Sequence, residues 1–377
     1  MRITNSMLVN NLLRNLNTNY NRVDKLENMM ACGRKFGHIS DDPIALIYSQ
    51  SARNKLARLS HYQTTVGSAK DWLNQAETGL TELQSIFANA YESCVDAAHD
   101  GKTNSDKQNI AGVIGQLRDH FVDTLNTAFG DKYVYSGYNT PGDPATGFGA
   151  EGIKAFTVVD GNLCFNGLNL SVFDGMATEL LNIDLTELDD GAALTAINNL
   201  GVPLPTGVSA QMILDMHRLK GDVLTFDVGP GINMPVTMNG IDMVLLAATD
   251  EKGVTVVRNA FNVLNDLYIA ANGDPLGTPP TEPQSASELT KIIKPLQDAQ
   301  NHLLTKTAVI GGRVRRLELL EARYEQDAIN YEQMKSNAED ADMAEVIMNL
   351  KMVESVMQAA LSAGATAIQP TLMDFLR

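Results

Sequence analysis

Apolar side chains recur in steps of three and four residues at both ends of the chain. Near the C-terminus, the stripe consists of Met343, Val346, Leu350, Val353, Met357, Ala360, Gly364 and Ala367. Near the N-terminus, a similar stripe consists of Val9, Leu13, Leu16, Tyr20, Val23 and Met30. This spacing predicts two helices that each bury one face against other helices. Because chain ends rarely carry such regular apolar surfaces, the pattern predicts a polymer subunit whose ends pack on each other or on neighbouring copies.

The two terminal stripes are expected to form contacts between subunits, because no partner large enough to cover both is evident within one chain. The residues expected at this subunit interface are Val9, Leu13, Leu16, Val23, Met343, Val346, Leu350, Val353 and Met357. Leu350, Val353 and Met357 lie in the middle of the C-terminal stripe and are the bulkiest residues there, so they are predicted to make the closest contacts. A helix without its partner is marginal in water, so the terminal helices of a monomer are expected to be exposed or loosely paired.

Long helices are predicted between the terminal stripes and the middle of the chain. Asp42 and Pro43 suit the N-cap and the first position of a helix. The apolar positions that follow are Ala69, Leu73, Ala76, Leu80, Leu83, Phe87, Ala90, Cys94 and Ala97. That alternation predicts a long rod, and an amphipathic stretch from Ile110 to Ala128 is predicted to fold back antiparallel to it. Similar spacing predicts another rod over 310–331.

The pattern changes to a period of two in the middle of the chain. Alternating runs flank Asp160-Gly161 and Asn166-Gly167, which are dipeptides typical of tight hairpins. Alternation returns near residues 223–238 and is followed by the turn signal Asn239-Gly240. Residues 187–219 fit no single pattern, with a short helix as one alternative near their end. We interpret residues 141–252 as a β-rich insertion.

These patterns predict a mainly α fold with a β-rich insertion, in which both chain ends form long antiparallel helical rods. The terminal helices are assigned to residues 1–40 and 336–377, and the rod domain to residues 41–140 and 253–335. Residues 141–252 form the inserted, surface-exposed domain. The layout is nearly mirror-symmetric along the chain.

Charge and cysteine content narrow the class of protein. The net charge is −16, and residues 141–252 contribute −11 of it. An acidic middle argues against nucleic acid as a partner, because phosphates need a basic surface. The three cysteines show neither a disulfide framework nor zinc spacing. No signal-peptide pattern and no apolar run of membrane-spanning length is present, so we expect no membrane insertion.

The sequence offers little chemistry for catalysis. The segment GFGAEG at 147–152 formally matches a dinucleotide fingerprint, but it follows a proline-rich linker and precedes a β pattern, so it is interpreted as a loop. His38 beside Asp41 and Asp42 is a weak candidate for a metal site, because a capping loop already accounts for the carboxylates. We therefore expect no cofactor, no metal and no enzymatic activity.

Three segments carry a resemblance to a known family. These are MRITNSMLVNNLLRNL at the start, GRKFGHISDDPIA at 33–45 and SNAEDADMAEVIMNLKMVESVMQAALSAGATAIQPTLMDFLR at the end. They resemble the bacterial flagellin superfamily, and the two ends are most similar to its members at the junction between hook and filament. The resemblance covers roughly the first 140 and the last 120 residues, and the middle of the chain contributes nothing to it.

The resemblance implies a structural role in the flagellum, outside the cell. The chain would leave through the flagellar type III export apparatus with the help of an export chaperone, without a cleaved signal peptide. It would assemble with other copies of itself, with another hook-associated protein on the hook side and with flagellin on the filament side. The terminal helices would form an inner tube, the rods an outer tube, and the β-rich insertion would face solvent.

Three other interpretations stay open at the level of sequence. The first is flagellin, the bulk filament subunit, which shares the same physical patterns. The second is an extracellular binding or enzymatic module carried on helical rods, which would need a cluster of acid, base or metal-binding side chains in residues 141–252. The third is an intracellular coiled-coil scaffold, which would not be found in culture medium.

Overall fold

The computed structural model describes residues 5–367, except 39, 100, 131, 138–153, 186–187, 206, 222, 250–254, 274–282 and 284. The helices are α1 (Asn5–Cys32), α2 (Pro43–Ala97), α3 (Asn104–Leu125), α4 (Thr178–Asn182), α5 (Asp190–Asn199), α6 (Ala210–Gly221), α7 (Ile241–Val244), α8 (Ala260–Asn272), α9 (Ala286–Glu339) and α10 (Met343–Ala367). The chain forms two compact units, a terminal unit of residues 1–61 and 322–377 and a central unit of residues 62–321. The predicted mainly α fold with long helices is confirmed.

The central unit is built on the long helices α2, α3 and α9. All nine predicted stripe residues of α2, from Ala69 to Ala97, are fully buried. Within this unit α2 and α9 run antiparallel, because Gln84 contacts Thr307 while Cys94 contacts Leu289 further along α2 and further back along α9. Helix α3 packs against α8. A strict alternation of apolar residues therefore identified the core face of the rod correctly.

Short antiparallel sheets make up the β structure of the central unit. The strands are β1 (Ala128–Phe129), β2 (Lys132–Tyr133), β3 (Phe156–Val159), β4 (Asn162–Phe165), β5 (Leu168–Asn169), β6 (Thr225–Gly229), β7 (Ile232–Pro235), β8 (Leu245–Thr249) and β9 (Thr255–Asn259). They pair as β1–β2, β3–β4–β5, β6–β7 and β8–β9. A 3₁₀ helix at Ser171–Phe173 follows β5.

Two of the predicted hairpin turns are present. Asp160-Gly161 joins β3 to β4 and Asn166-Gly167 joins β4 to β5, and all four residues have positive φ angles between 48° and 83°. That backbone matches a type I′ turn, in which both central residues are left-handed. The third signal, Asn239-Gly240, is instead the start of α7, where the Asn239 side chain accepts a bond from the Ile241 N–H. The turn between β6 and β7 lies at Pro230-Gly231.

The middle of the chain contains more helix than its pattern indicated. Residues 187–219, left unassigned by periodicity, contribute α5 and most of α6. The predicted end of the insertion at residue 252 falls between β8 and β9, which pair from Leu245–Asn259 to Thr249–Thr255. The three-part division remains a proposal, and a cut at residue 252 would separate the two strands of this hairpin.

Helix boundaries follow local capping. The Asp42 carboxylate accepts bonds from the N–H groups of Ile44 and Ala45, as its position before Pro43 predicted. Helix α3 is capped by Thr103, which forms a capping box with Asp106.

Candidate assembly surface

Helices α1 and α10 form an antiparallel pair inside the terminal unit. Their direction follows from two contacts, since Leu12 lies beside Gly364 at one end and Gly33 bonds to Ala341 at the other. A Cβ atom at position 364 would lie 2.6 Å from Cδ2 of Leu12, so the small residue allows close approach. The two chain ends therefore form a helical hairpin.

The C-terminal stripe faces α1 of the same chain. Val346 and Leu350 are buried, Val353 and Met357 are half-buried, and Gly364 is buried against Leu12. The sequence predicted that the two ends pack on each other or on neighbouring copies, with an exposed or loosely paired stripe in a monomer, and the structure shows the ends packed on each other within one chain. The turn between α1 and α2 and the turn between α9 and α10 bring α1 and α10 together. Each of these two helices therefore covers the apolar stripe of the other.

The predicted interface residues on α1 divide between two faces. Leu16 and Val23 are half-buried, together with Leu12 and Leu26, which the prediction omitted. Leu13 is exposed, and so is Met343 at the start of α10. The side chain of Val9 lies outside the described residues. Contact of these nine residues with neighbouring subunits stays a prediction. Six of them are already buried or half-buried within the chain, namely Leu16, Val23, Val346, Leu350, Val353 and Met357.

A second set of apolar side chains in the terminal unit has no cover within the described residues. On α10 the members Met348, Met352 and Val356 are 51–61% exposed. They recur every four residues on the side of the helix that is turned away from the buried stripe. Ile44, Ile47 and Tyr48, at the start of α2, are 61–68% exposed. Exposed apolar side chains in such groups are typical of protein interaction surfaces.

Backbone hydrogen bonds connect the segment after α1 with the segment between α9 and α10, and we call residues 33–35 and 339–341 the joint. Gly33 ends α1 in a left-handed conformation, with φ of 69°, and its N–H donates to the Met29 carbonyl. The Lys35 N–H donates to the Glu339 carbonyl at 2.7 Å, and the Ala341 N–H donates to the Gly33 carbonyl at 2.9 Å. Segments about 300 residues apart in sequence are thereby held side by side.

A buried carboxylate lies at this joint. The Glu339 side chain is 2% exposed and accepts two bonds from Arg53, from Nε at 2.6 Å and from Nη2 at 2.7 Å. Ser49 donates a further bond to Glu339, and Arg34 Nε lies 3.8 Å from the same carboxylate. The bonds from Arg53, with support from Ser49, lower the pKa of Glu339 to about 2 although burial acts in the opposite direction.

The loop between α1 and α2 is organised by Asp41. Its carboxylate accepts bonds from the N–H groups of His38 and Gly37, at 3.0 and 3.2 Å, and pairs with Lys25 at 3.3 Å. These contacts lower the pKa of Asp41, with the His38 bond as the largest cause. Asp41 therefore has a structural role in holding the loop.

Sequence reasoning missed the partners of Glu339. The sequence assigned residues from 336 onward to the terminal helix, whereas α9 continues to Glu339 and Asp342 caps α10. A polar glutamate at a helix end gives no local signal of burial, because Ser49 and Arg53 are nearly 300 residues away in sequence. The only available hint was the family resemblance of both segments.

Metal ions in proteins are bound by groupings of side chains such as His, Cys, Asp and Glu. No group of three or more of these side chains among the described residues could hold a metal ion. The GFGAEG segment lies outside the described residues. Of the described helices, none combines the length and the apolar character needed to cross a membrane.

Comparison with known proteins gives a match to a protein family and matches to individual proteins. Residues 3–140 match the bacterial flagellin N-terminal helical region. The flagellar hook-associated protein 3 of Salmonella typhimurium (strain LT2) is 21% identical over 365 residues, covering 96% of this chain and 95% of that protein. A flagellin of Clostridium tyrobutyricum is 27% identical over 127 residues, which cover 34% of each chain.

Solved structures show the same fold. A protein of Vibrio parahaemolyticus described as a flagellar hook-associated protein has 16% identity and a TM-score of 0.54, covering 80% of this chain and all of that one. FlgL of Xanthomonas campestris has 13% identity and a TM-score of 0.50, covering 76% of this chain and 99% of that one. The chain thus matches the N-terminal helical region of the flagellins over residues 3–140 and, over nearly its whole length, is similar to hook-associated protein 3 of the bacterial flagellum.

Proposed function

We propose that this chain is a structural subunit of the bacterial flagellum that joins the hook to the filament. The observation that carries the proposal is the similarity to hook-associated protein 3, because it extends over 96% of this chain. The match to flagellin ends after about a third of each chain. A bulk filament subunit is therefore the less favoured alternative.

The terminal unit has the surfaces that such a role needs. A helical polymer requires contacts that repeat without closing, and exposed apolar stripes on long helices can supply them. The stripe of Met348, Met352 and Val356 remains available after α1 and α10 have paired. The subunit would act by self-assembly and would have no catalytic activity.

The proposed partners follow from the position of the subunit. It would contact other copies of itself, another hook-associated protein on the hook side and flagellin on the filament side. Before assembly it would pass through the flagellar type III export apparatus with an export chaperone, without a cleaved signal peptide. Its final place would be extracellular.

Deletion of the gene in the source bacterium tests the proposal. We expect electron microscopy to show hooks without filaments and to find flagellin released into the medium, with both defects repaired by the wild-type gene. Filaments of normal length on the deletion strain would refute the junction role. A sheared filament consisting mainly of this chain would instead support the flagellin alternative.

A further inference from the structure

Glu339 connects every segment that meets at the joint of the terminal unit. Its carboxylate is bonded to Ser49 and Arg53 of α2 and lies near Arg34, just after α1. Its own carbonyl accepts a bond from Lys35, and α10 begins four residues later. The Glu339 side chain thus contacts α2 and the segment just after α1, and its backbone carbonyl holds Lys35.

The contacts of Glu339 depend on one another. A carboxylate removed from water is costly unless it is both paired and hydrogen-bonded. The two bonds from Arg53 have the forked geometry in which a guanidinium holds a carboxylate most firmly. Because the Glu339 side chain is only 2% exposed, whereas Arg53 is 42% exposed, the loss of Arg53 would leave a buried carboxylate without its main partner.

The terminal hairpin has a thin core. Among the described residues none of α1 is buried, and of α10 only Val346, Leu350 and Gly364 are. A pair of helices with so thin a core gains from an anchor at one end, because fixing the joint lowers the entropy cost of bringing the two helices together.

We propose that the Arg53–Glu339 pair is a conformational lock that couples the pairing of α1 with α10 to the arrangement of α2 and α9 in the terminal unit. With the lock formed, both chain ends are held as one hairpin. With the lock broken, α1 and α10 are released together. This inference rests on contacts inside the terminal unit and is independent of where the subunit assembles.

Hydrogen exchange on the full-length monomer tests the lock with the variant Glu339→Gln. Its matched control is Glu332→Gln, which makes the same change of charge two turns earlier on α9, at an exposed position. Trp72, the single tryptophan of the chain, lies in the central unit and reports separately on that unit's unfolding. The swapped double variant Arg53→Glu/Glu339→Arg tests whether the pair itself is responsible.

We expect Glu339→Gln to speed amide exchange at least tenfold along both α1 and α10, with the unfolding midpoint of Trp72 unchanged. Glu332→Gln should leave the exchange rates as in the wild type, and the swapped pair should restore part of the protection. Faster exchange confined to the turn around residue 339, or in only one terminal helix, would overturn the proposal. A matching loss of stability in the Trp72 signal would also overturn it, because the pair would then be a general stabilising contact.

Discussion

Leu12, near the start of the first helix, lies directly against Gly364, near the end of the last one. This contact shows that the two chain ends cover each other within a single subunit. The buried faces of the two terminal stripes therefore pack against each other within one chain and need no neighbouring subunit to cover them. The apolar surface of α10 that is left for contacts between subunits is the exposed stripe of Met348, Met352 and Val356.

Position 364 should be sensitive to size. We expect Gly364→Leu to separate the helix ends, because even a Cβ there lies within 2.6 Å of Leu12. Leucine favours helix over glycine by about 0.8–1 kcal/mol, so any loss of protection in α1 would come from lost pairing. Hydrogen exchange of α1 should rise in this variant and stay unchanged in Ala359→Leu, which places the same side chain at an exposed position of α10.

Acid should open the joint over a defined range. The pKa of Glu339 is lowered to about 2 from its ordinary value of 4.5. A carboxyl group with a depressed pKa stabilises the folded state fully above its unfolded pKa, and this contribution is lost as the pH falls toward the folded pKa. Protection of α1 and α10, corrected for the intrinsic exchange rate, should therefore fall between about pH 4.5 and pH 2.

Comparison of the wild type with Glu339→Gln separates the contribution of Glu339 to the pH effect from that of other carboxylates. Asp41, whose pKa is also lowered by the bond from the His38 N–H, is present in both proteins. Glu339→Gln removes only the contribution of the lock, which faces Arg53, Arg34 and Ser49. If the wild type and this variant lose protection with the same pH profile, the acid sensitivity comes from other carboxylates.

Tyr135 and Gly79 should be energetically coupled. The buried Tyr135 hydroxyl donates to the Ala76 carbonyl at 2.7 Å, and a Cβ at Gly79 would lie 2.5 Å from the same oxygen. Tyr135→Phe should cost about 1 kcal/mol for the lost bond. Gly79→Ala gains about 1 kcal/mol of helix propensity but meets the hydroxyl, so it should destabilise the wild type.

A double-mutant cycle measures this coupling. In the Tyr135→Phe background the nearest atoms to the new methyl group are ring carbons at 3.3 Å, so Gly79→Ala should become neutral or stabilising. Denaturant unfolding followed by Trp72 fluorescence gives all four free energies. Additive effects would show that the two residues do not share this contact.

The three thiols should differ in reactivity. Burial raises the pKa of Cys94 to about 11 and also raises the pKa of Cys164, while Cys32 is exposed. Because the thiolate is the reactive form, a brief maleimide treatment of the native protein at pH 7 should label Cys32 alone. Peptide mass spectrometry checks the result, and labelling in denaturant should reach all three.

The sequence predicted those elements whose signals are local or periodic. The α2 stripe, the N-cap at Asp42 and two type I′ turns were all recognisable from neighbouring residues. The Gly33–Ala341 and Arg53–Glu339 contacts were not, because they join segments that only the folded chain brings together. The Asn239-Gly240 signal failed for a related reason, because Gly240 packs closely against Phe156 and its N–H donates to the Tyr135 carbonyl, and neither contact is visible in the neighbouring sequence.

Two neighbouring residues of α10 should separate the roles of its two faces. Val353 is half-buried toward α1, whereas Met352 is 57% exposed on the uncovered stripe. Val353→Asp would place a charge inside the hairpin, so it should speed exchange in α1 and α10 of the monomer. This expectation replaces the sequence-based one, in which the monomer would not respond.

Met352→Asp should give the opposite result. An exposed substitution usually changes monomer stability by no more than about 0.5 kcal/mol, so exchange and unfolding should match the wild type. In the assembled state the same carboxylate would be buried in a dry contact, at a cost of several kcal/mol per subunit. Cells carrying this variant should therefore secrete the protein but lack attached filaments. Gln358→Asp, which adds a charge at an exposed position outside the stripe, should support normal filaments. Normal filaments with Met352→Asp as well would show that subunits do not meet through this face of α10.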